Sequence, residues 1–249
     1  MSDDPKRTGV ARALSKLGYC SRSQAGSLIR AGRVAVNGRI VKDPERPVRI
    51  DKDRIQVDGT GVEKHQNTYL MMNKPRGLVT SASDEKGRPT VYDLLRGIDR
   101  WIGPVGRLDK ASEGLLLFTN DSEWAARITD PDSHLDKCYH VQVNCLIAQD
   151  LLARITQGVL VDGERLRART VRSLRQGNKN GWLEITLDEG KNRHIRRMLR
   201  ALGLDVLRLV RVSVGSLQLG DLQKGQVRPL TVAEKHNLDR DLGIPQKTP

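Results

Sequence analysis

Four consecutive apolar residues, Leu115 to Phe118, lie between Gly114 and the turn formers Thr119-Asn120-Asp121. An apolar run that short, punctuated at both ends, reads as a buried strand. A buried strand constrains what precedes it. The polar loop Gly106-Arg107-Leu108-Asp109-Lys110 must bring the chain to the edge of the core, held by Gly106 and Gly114, which tolerate turn conformations that other residues resist. Asp109 is therefore expected just before a core strand. There it is either half of an ion pair with Lys110 or a nearby arginine, or a group that does chemistry.

The surrounding pattern sets that strand in an α+β protein. Tyr69-Leu70-Met71-Met72 is strand-like until Asn73-Lys74-Pro75-Arg76-Gly77 breaks it, since proline cannot continue a ladder. Residues 137–143 and 182–187 alternate as half-buried strands do, and 206–219 follow as further strands. Over 192–203, Ile195, Met198, Leu199 and Leu202 recur at helical spacing, with Gly203 as the stop. The segments 90–98 and 122–130 also read as helices. Strands outnumber helices and do not alternate with them regularly. The expected sheet is therefore mixed and largely antiparallel, not doubly wound.

The first 60 residues read as a separate module. Ser21 and Gln24 stand three apart at the start of a helical pattern, a capping box. The helix runs to Gly32, and a shorter one ending at Gly18 precedes it. Asn37-Gly38 between two β-branched runs is a strong hairpin signal. Residues 1–65 carry 14 Lys/Arg against 8 Asp/Glu. Arg12, Lys16, Arg22, Arg30, Arg33 and Arg39 lie on or beside the helix pair and hairpin, where they can track a phosphate backbone. Residues 61–67, polar and without periodicity, form the expected linker to a second domain over 68–240. The tail 241–249 is expected to be disordered.

Composition narrows the class. The chain has 249 residues, a net charge of +13 and only 3% aromatics. Such a basic chain meets polyanions, nucleic acid first. No apolar run is long enough to span a membrane, and the N-terminal residues lack an apolar signal core, so the cytoplasm is the expected location. Three unpaired cysteines suit a reducing compartment. Five scattered histidines have no metal-ligand spacing, and no Walker loop or dinucleotide fingerprint is present, so no metal or cofactor is expected. No sizeable exposed apolar stripe is apparent, so a monomer is expected. A denser basic cluster lies at 191–211, with seven Lys/Arg and one acid, Asp205. A helix there could grip phosphates with its flanks and turn one guanidinium inward to a carboxylate.

Four elements occur in order: Asn73-Lys74-Pro75-Arg76-Gly77, the Gly106–Asp121 loop and strand, Lys137-Cys138-Tyr139-His140-Val141, and Glu189–Met198. In them the chain resembles the RsuA-type family of ribosomal RNA pseudouridine synthases over nearly its whole length. Its first module resembles the alpha-L RNA-binding domain over residues 10–56. The resemblance implies an enzyme that isomerises uridine to pseudouridine in ribosomal RNA or a pre-ribosomal particle, with large-subunit RNA favoured over small-subunit RNA. It makes Asp109 the essential carboxylate, acting as a nucleophile on the uracil or ribose C1′, or as a base at C2′. Tyr139 becomes the residue stacking on the flipped base, Arg196 the partner of the aspartate, and Ile195 the apolar contact to the base. Arg107 and Lys74 join as phosphate contacts or loop supports, and Arg193 and Arg197 as substrate contacts. His194 stands where the family commonly has glutamine.

Two other readings compete. A non-catalytic RNA-binding assembly factor on the same scaffold would be marked by loss of the aspartate, tyrosine or inward arginine, and all three are present. A hydrolase using Asp109 and Glu113 as a carboxylate pair would need the intervening loop to be helical, which Gly114 opposes.

Overall fold

A computed structural model describes residues 7–82, 84–98 and 100–245. The chain divides into two compact units. One comprises residues up to Tyr69 with 97–103 and 118–124; the other comprises 70–96, 104–117 and the residues from Ala125 on.

In the first unit, β1 (Thr8–Gly9) leads into α1 (Val10–Lys16) and α2 (Arg22–Arg30). The Ser21 hydroxyl accepts the Gln24 amide while the Gln24 side chain accepts the Ser21 amide, the reciprocal cap read from the sequence. The hairpin β2 (Val34–Val36) and β3 (Arg39–Val41) turns at Asn37 and Gly38, whose φ values of 52° and 79° match the twist of the paired strands. Next come β4 (Pro47–Val48), β5 (Ile55–Val57) and β6 (Thr60–Gly61). Leu14, Ile29, Val34 and Val57 bury a core between the helix pair and the small sheet. The polar stretch read as a linker is tethered within this unit: the His65 amide donates to the Leu17 carbonyl, and Asn120 Nδ2 to the Gln66 carbonyl.

The main sheet takes β7 (Tyr69–Lys74), β8 (Gly103–Val105), β9 (Glu113–Thr119), β10 (Lys137–Val143), β13 (Thr170–Gln176), β14 (Gly181–Leu187), β15 (Val206–Val214), β16 (Leu217–Gln218) and β17 (Val227–Pro229). Its order is β13-β14-β10-β15-β9-β7-β17, with β8 on β9 and β16 on β15. β15 and β9 are parallel, while β13–β14, β14–β10, β10–β15 and β7–β17 are antiparallel. The mixed, largely antiparallel sheet expected for an α+β chain is the one observed. The remaining elements are α3 (Ser122–Thr129), α4 (Gln149–Gln157), the hairpin β11 (Val159–Val161) and β12 (Glu164–Leu166), α5 (His194–Ala201) and α6 (Val232–Asp241). In the core, Val141, Leu183 and Ile185 from the sheet meet Ile155 from α4 and Met198 and Leu199 from α5.

Two expectations need correction. The segment 90–98 is not a helix of any length: only Val91–Leu94 coil, as a single 3₁₀ turn. Thr90 is held in a bridge with Val79 and Gly97 turns the chain at φ 77°, so too few residues remain to nucleate an α-helix. The tail drawn from 241 begins too early. Asp241 closes α6 and its carboxylate accepts the Ser216 amide, while residues 246–249 lie outside the described residues.

Candidate active site

The core strand β9 starts at Glu113, and the loop before it is held unusually fully. Five consecutive carbonyls each accept a hydrogen bond. Leu108 receives Thr80 Oγ1, Asp109 receives Lys74 Nζ and the Ser112 amide, Lys110 receives the Gly77 amide, Ala111 receives Arg196 Nη2, and Ser112 receives Lys74 Nζ again. The loop is thus tied from the β7 segment, from α5 and from within itself. Gly114 completes it: at φ 102°, a Cβ there would overlap the Arg211 carbonyl oxygen, so only glycine lets β9 run this close to β15.

Lys74 is wholly buried, and its third donor goes to the Pro75 carbonyl. Burial pushes its pKa down to about 8, against the pull of Asp109 and Glu113. A side chain so enclosed cannot meet RNA, so of the two expected roles the substrate contact fails and loop support is the one its hydrogen bonds fit. Arg196 is likewise turned to the loop. It donates to the Ala111 and Val206 carbonyls, and burial lowers its pKa, opposed by the charge of Asp109. The direct ion pair of Asp109 is Arg193, with Nη1 3.5 Å from Oδ2. Arg193 reaches it from a left-handed backbone (φ 49°), a conformation that costs a non-glycine residue and clusters at functional sites.

The Asp109 side chain, about one-third exposed, lies on the wall of a cavity of about 200 Å³. Tyr139 of β10, Leu209 and Arg211 of β15, Leu187 at the end of β14 and Ile195 at the start of α5 line it, with Arg107 and Arg193 on the exposed side. An aromatic ring, aliphatic side chains and a carboxylate under several cations form a place for a flat polar ring joined to an anionic backbone. Two cations here went unforeseen. Arg211 is almost fully buried and donates to the Leu115 carbonyl, and Lys137 has its pKa lowered by burial and by Arg211. Strand alternation carried a signal for both, since each places a charge on an otherwise apolar strand face.

Other expected residues go elsewhere. Arg197 does not line the cavity; it pairs with Glu164 at 2.8 Å and Asp162 at 3.5 Å on the β11–β12 hairpin. Glu113 is buried. Burial would raise its pKa, but Arg208 and Lys224 outweigh that and hold it ionised and engaged, so no carboxylate pair with Asp109 exists. His194 is buried with its Nδ1 3.3 Å from Glu189 Oε1, and burial lowers its pKa. In the first unit Arg12, Arg22, Arg30 and Arg39 are exposed. Arg33 is held by Asp58, and Lys16 by Glu123 at 2.7 Å. The three cysteines are free thiols, with Cys20 pushed up to about 11 by burial. Among the described residues no cluster of His, Cys, Asp or Glu could hold a metal, and no helix is long and apolar enough to cross a membrane.

Comparison with known proteins gives this arrangement a context. The model of the RNA pseudouridylate synthases matches residues 68–201, which include every cavity-lining residue named above except Leu209 and Arg211, and that of the S4 domain matches 10–55. The chain is 36% identical over 232 residues to the ribosomal large subunit pseudouridine synthase B of Bacillus subtilis, spanning 92% of this chain and 94% of that one. It is 36% identical over 236 residues to an RNA pseudouridine synthase of Aquifex aeolicus, spanning 94% and 95%. A crystal structure of a pseudouridylate synthase superposes with a TM-score of 0.64 at 31% identity, covering 93% of this chain and 99% of that one. An aspartate loop fixed at five carbonyls beside a nucleobase-sized cavity is therefore found in a chain that belongs to the RNA pseudouridylate synthase family, carrying an S4 domain ahead of its catalytic domain.

Proposed function

We propose that this enzyme acts on a uridine of ribosomal RNA, in the large subunit, with Asp109 as its essential carboxylate. The observation that carries the reading is the placing of Asp109. It stands on the wall of the cavity with Tyr139 and Ile195, ion-paired to Arg193, on a loop with five successive carbonyls hydrogen-bonded. The choice of RNA is supported by the relative whose name specifies the large ribosomal subunit.

The isomerisation breaks the bond from ribose C1′ to uracil N1 and forms one from C1′ to C5. C5 loses its proton and N1 gains one, so no external reductant or group donor is consumed. Asp109 can serve at the ring, at C1′ or at C2′. In each role it reacts through a carboxylate oxygen, and Arg193, 3.5 Å from Oδ2, orients that group. Tyr139 supplies a face for the extracted base. Ile195 and Leu209 exclude water from it, so the freed uracil rotates without escaping. Extraction from the stack costs about a few kcal/mol, and cationic contacts to the backbone offset it. A separate RNA grip is provided by Arg12, Arg22, Arg30 and Arg39 of the S4 domain, with Arg33 and Lys16 held by their own carboxylates.

The test is tritium release from ribosomal RNA labelled at uracil C5, using each subunit's RNA separately, with Asp109→Asn beside the native protein. Release from large-subunit RNA by the native protein alone is expected. Release from small-subunit RNA instead would overturn the substrate assignment. Binding without release from either would favour an assembly factor.

A further inference from the structure

The cavity uses one face of the main sheet. Tyr139, Val141, Leu183, Ile185 and Leu187 alternate onto that side. The residues between them, Cys138, His140, Trp182, Glu184 and Thr186, point the other way, and none is buried. An antiparallel sheet often leaves one face to water, and this open face has a distinctive chemistry. On the edge strand β13, Arg172 and Arg175 stand opposite Glu184 and Trp182. From Arg165 to Leu183 the chain holds six Lys/Arg and no Asp or Glu. This is a purer basic run than the one at 191–211, and all six cations are exposed.

The acids near this face are already engaged. Glu184 is paired to Arg172 and His140, and Glu113 to Arg208 and Lys224. Arg175 and Lys179 have no carboxylate partner among the described residues. The guanidinium carbon of Arg175 lies 5.0 Å from the Trp182 ring centroid and that of Arg208 lies 5.6 Å away. A half-buried tryptophan with two guanidiniums near its ring, beside uncompensated positive charge, is a stacking platform with a cationic surround. An acidic protein segment would complement the charge but leave the ring without a matching partner. An unpaired nucleotide uses both.

We propose that this open face is a second RNA contact, in which an unpaired base stacks against Trp182 and flanking phosphates meet Arg175 and Lys179. The inference rests on reading the chain as an enzyme of ribosomal RNA. The target uridine then occupies the cavity on one face while another segment of the same folded RNA docks on the opposite face. The second contact contributes affinity and selection of large, folded substrates, and takes no part in bond making.

The experiment compares full-length native protein with Arg175→Gln/Lys179→Gln, Trp182→Ala and Trp182→Phe, each checked for an unchanged melting transition. Affinity for a full-length large-subunit RNA transcript is measured across a salt series. The double charge variant is expected to bind about tenfold more weakly and to lose about 1.4 from the slope of log K on log salt, from two single-strand phosphate contacts at ~0.7 each. Trp182→Ala is expected to weaken binding by about tenfold, and Trp182→Phe to restore most of it. In tritium release, KM should rise with Kd while kcat stays at the native value. Unchanged affinity and salt slope in the double variant, or equal losses in Trp182→Phe and Trp182→Ala, would overturn the proposal. The binding comparison needs no catalysis. Native protein that binds without releasing tritium would therefore count against the isomerase reading, while the variants still decide this one.

Discussion

The Asp109 loop and the basic surface of the S4 domain solve opposite problems. In the loop, five successive carbonyls are bound, and a wholly buried lysine donates to two of them and to the Pro75 carbonyl. On the S4 surface, Arg12, Arg22, Arg30 and Arg39 extend into solvent, while Arg33 is held in a bidentate pair by an exposed Asp58. A reacting carboxylate must sit within a fraction of an ångström of its target, so its support is over-determined. A phosphate backbone presents repeating charge and tolerates side chains that adapt. Removing one support from the loop should therefore cost rate or stability, whereas removing one S4 arginine should cost a little affinity.

Asp109→Asn gives the largest effect and marks one end of that contrast. Tritium release should fall by about 10⁴-fold or more while RNA affinity stays within a few-fold, because the amide keeps the shape and loses the reactive charge. Lys74→Met comes next. It leaves the carbonyls of Pro75, Asp109 and Ser112 short of a buried donor, at about 1–3 kcal/mol each, so the melting temperature should drop sharply. In the protein that still folds, kcat should fall by about 10²-fold with little change in KM. A rise in KM alone would mean that Lys74 serves binding after all.

The same lysine sharpens the contrast through pH. Its pKa is near 8 folded and 10.5 in its ordinary state, so between those values the unfolded chain holds more protons. Stability contributed by this group therefore rises as pH goes from about 8 to 10.5, and is lost as pH falls through 8, by up to about 3 kcal/mol. Denaturant titrations of native protein and Lys74→Met across that window should show a steeper rise in the native protein. Smaller again is the quadruple Arg12/Arg22/Arg30/Arg39→Gln variant. It should keep its melting temperature, weaken RNA binding by roughly tenfold or more, and flatten the salt dependence by ~0.7–0.9 per contact removed. The smallest effect belongs to Asp58→Asn. It breaks an exposed ion pair and should leave the chemical-denaturation midpoint almost unmoved.

Legibility in the sequence followed the range of the interactions. The Ser21–Gln24 box, the Asn37-Gly38 turn and the spacing of Ile195, Met198, Leu199 and Leu202 are local, and each element formed where its signal stood. The Asp109 loop and its strand were also readable, because glycines and turn formers bracket a short apolar run. The segment at 90–98 misled because its composition favours a helix while a bridge to Val79 and the turn at Gly97 cut it short. The stretch from 144 to 181 gave no reading. There α4, the β11–β12 hairpin and the basic edge strand β13 have short or exposed patterns that burial does not sharpen.

The sequence by itself determined the module order, the capped helices and hairpin, the buried strand and the carboxylate before it. All of these depend on neighbours within a few residues. Only the tertiary structure decided where the long cations end. Arg193 rather than Arg196 meets Asp109, Arg197 turns to Glu164, Lys74 sinks under the loop it was expected to flank, and Arg211 and Lys137 enter the cavity wall. A flexible side chain of several rotatable bonds reaches many places from one backbone position. Which place it takes is set by the carbonyls and carboxylates that distant strands bring within hydrogen-bonding distance.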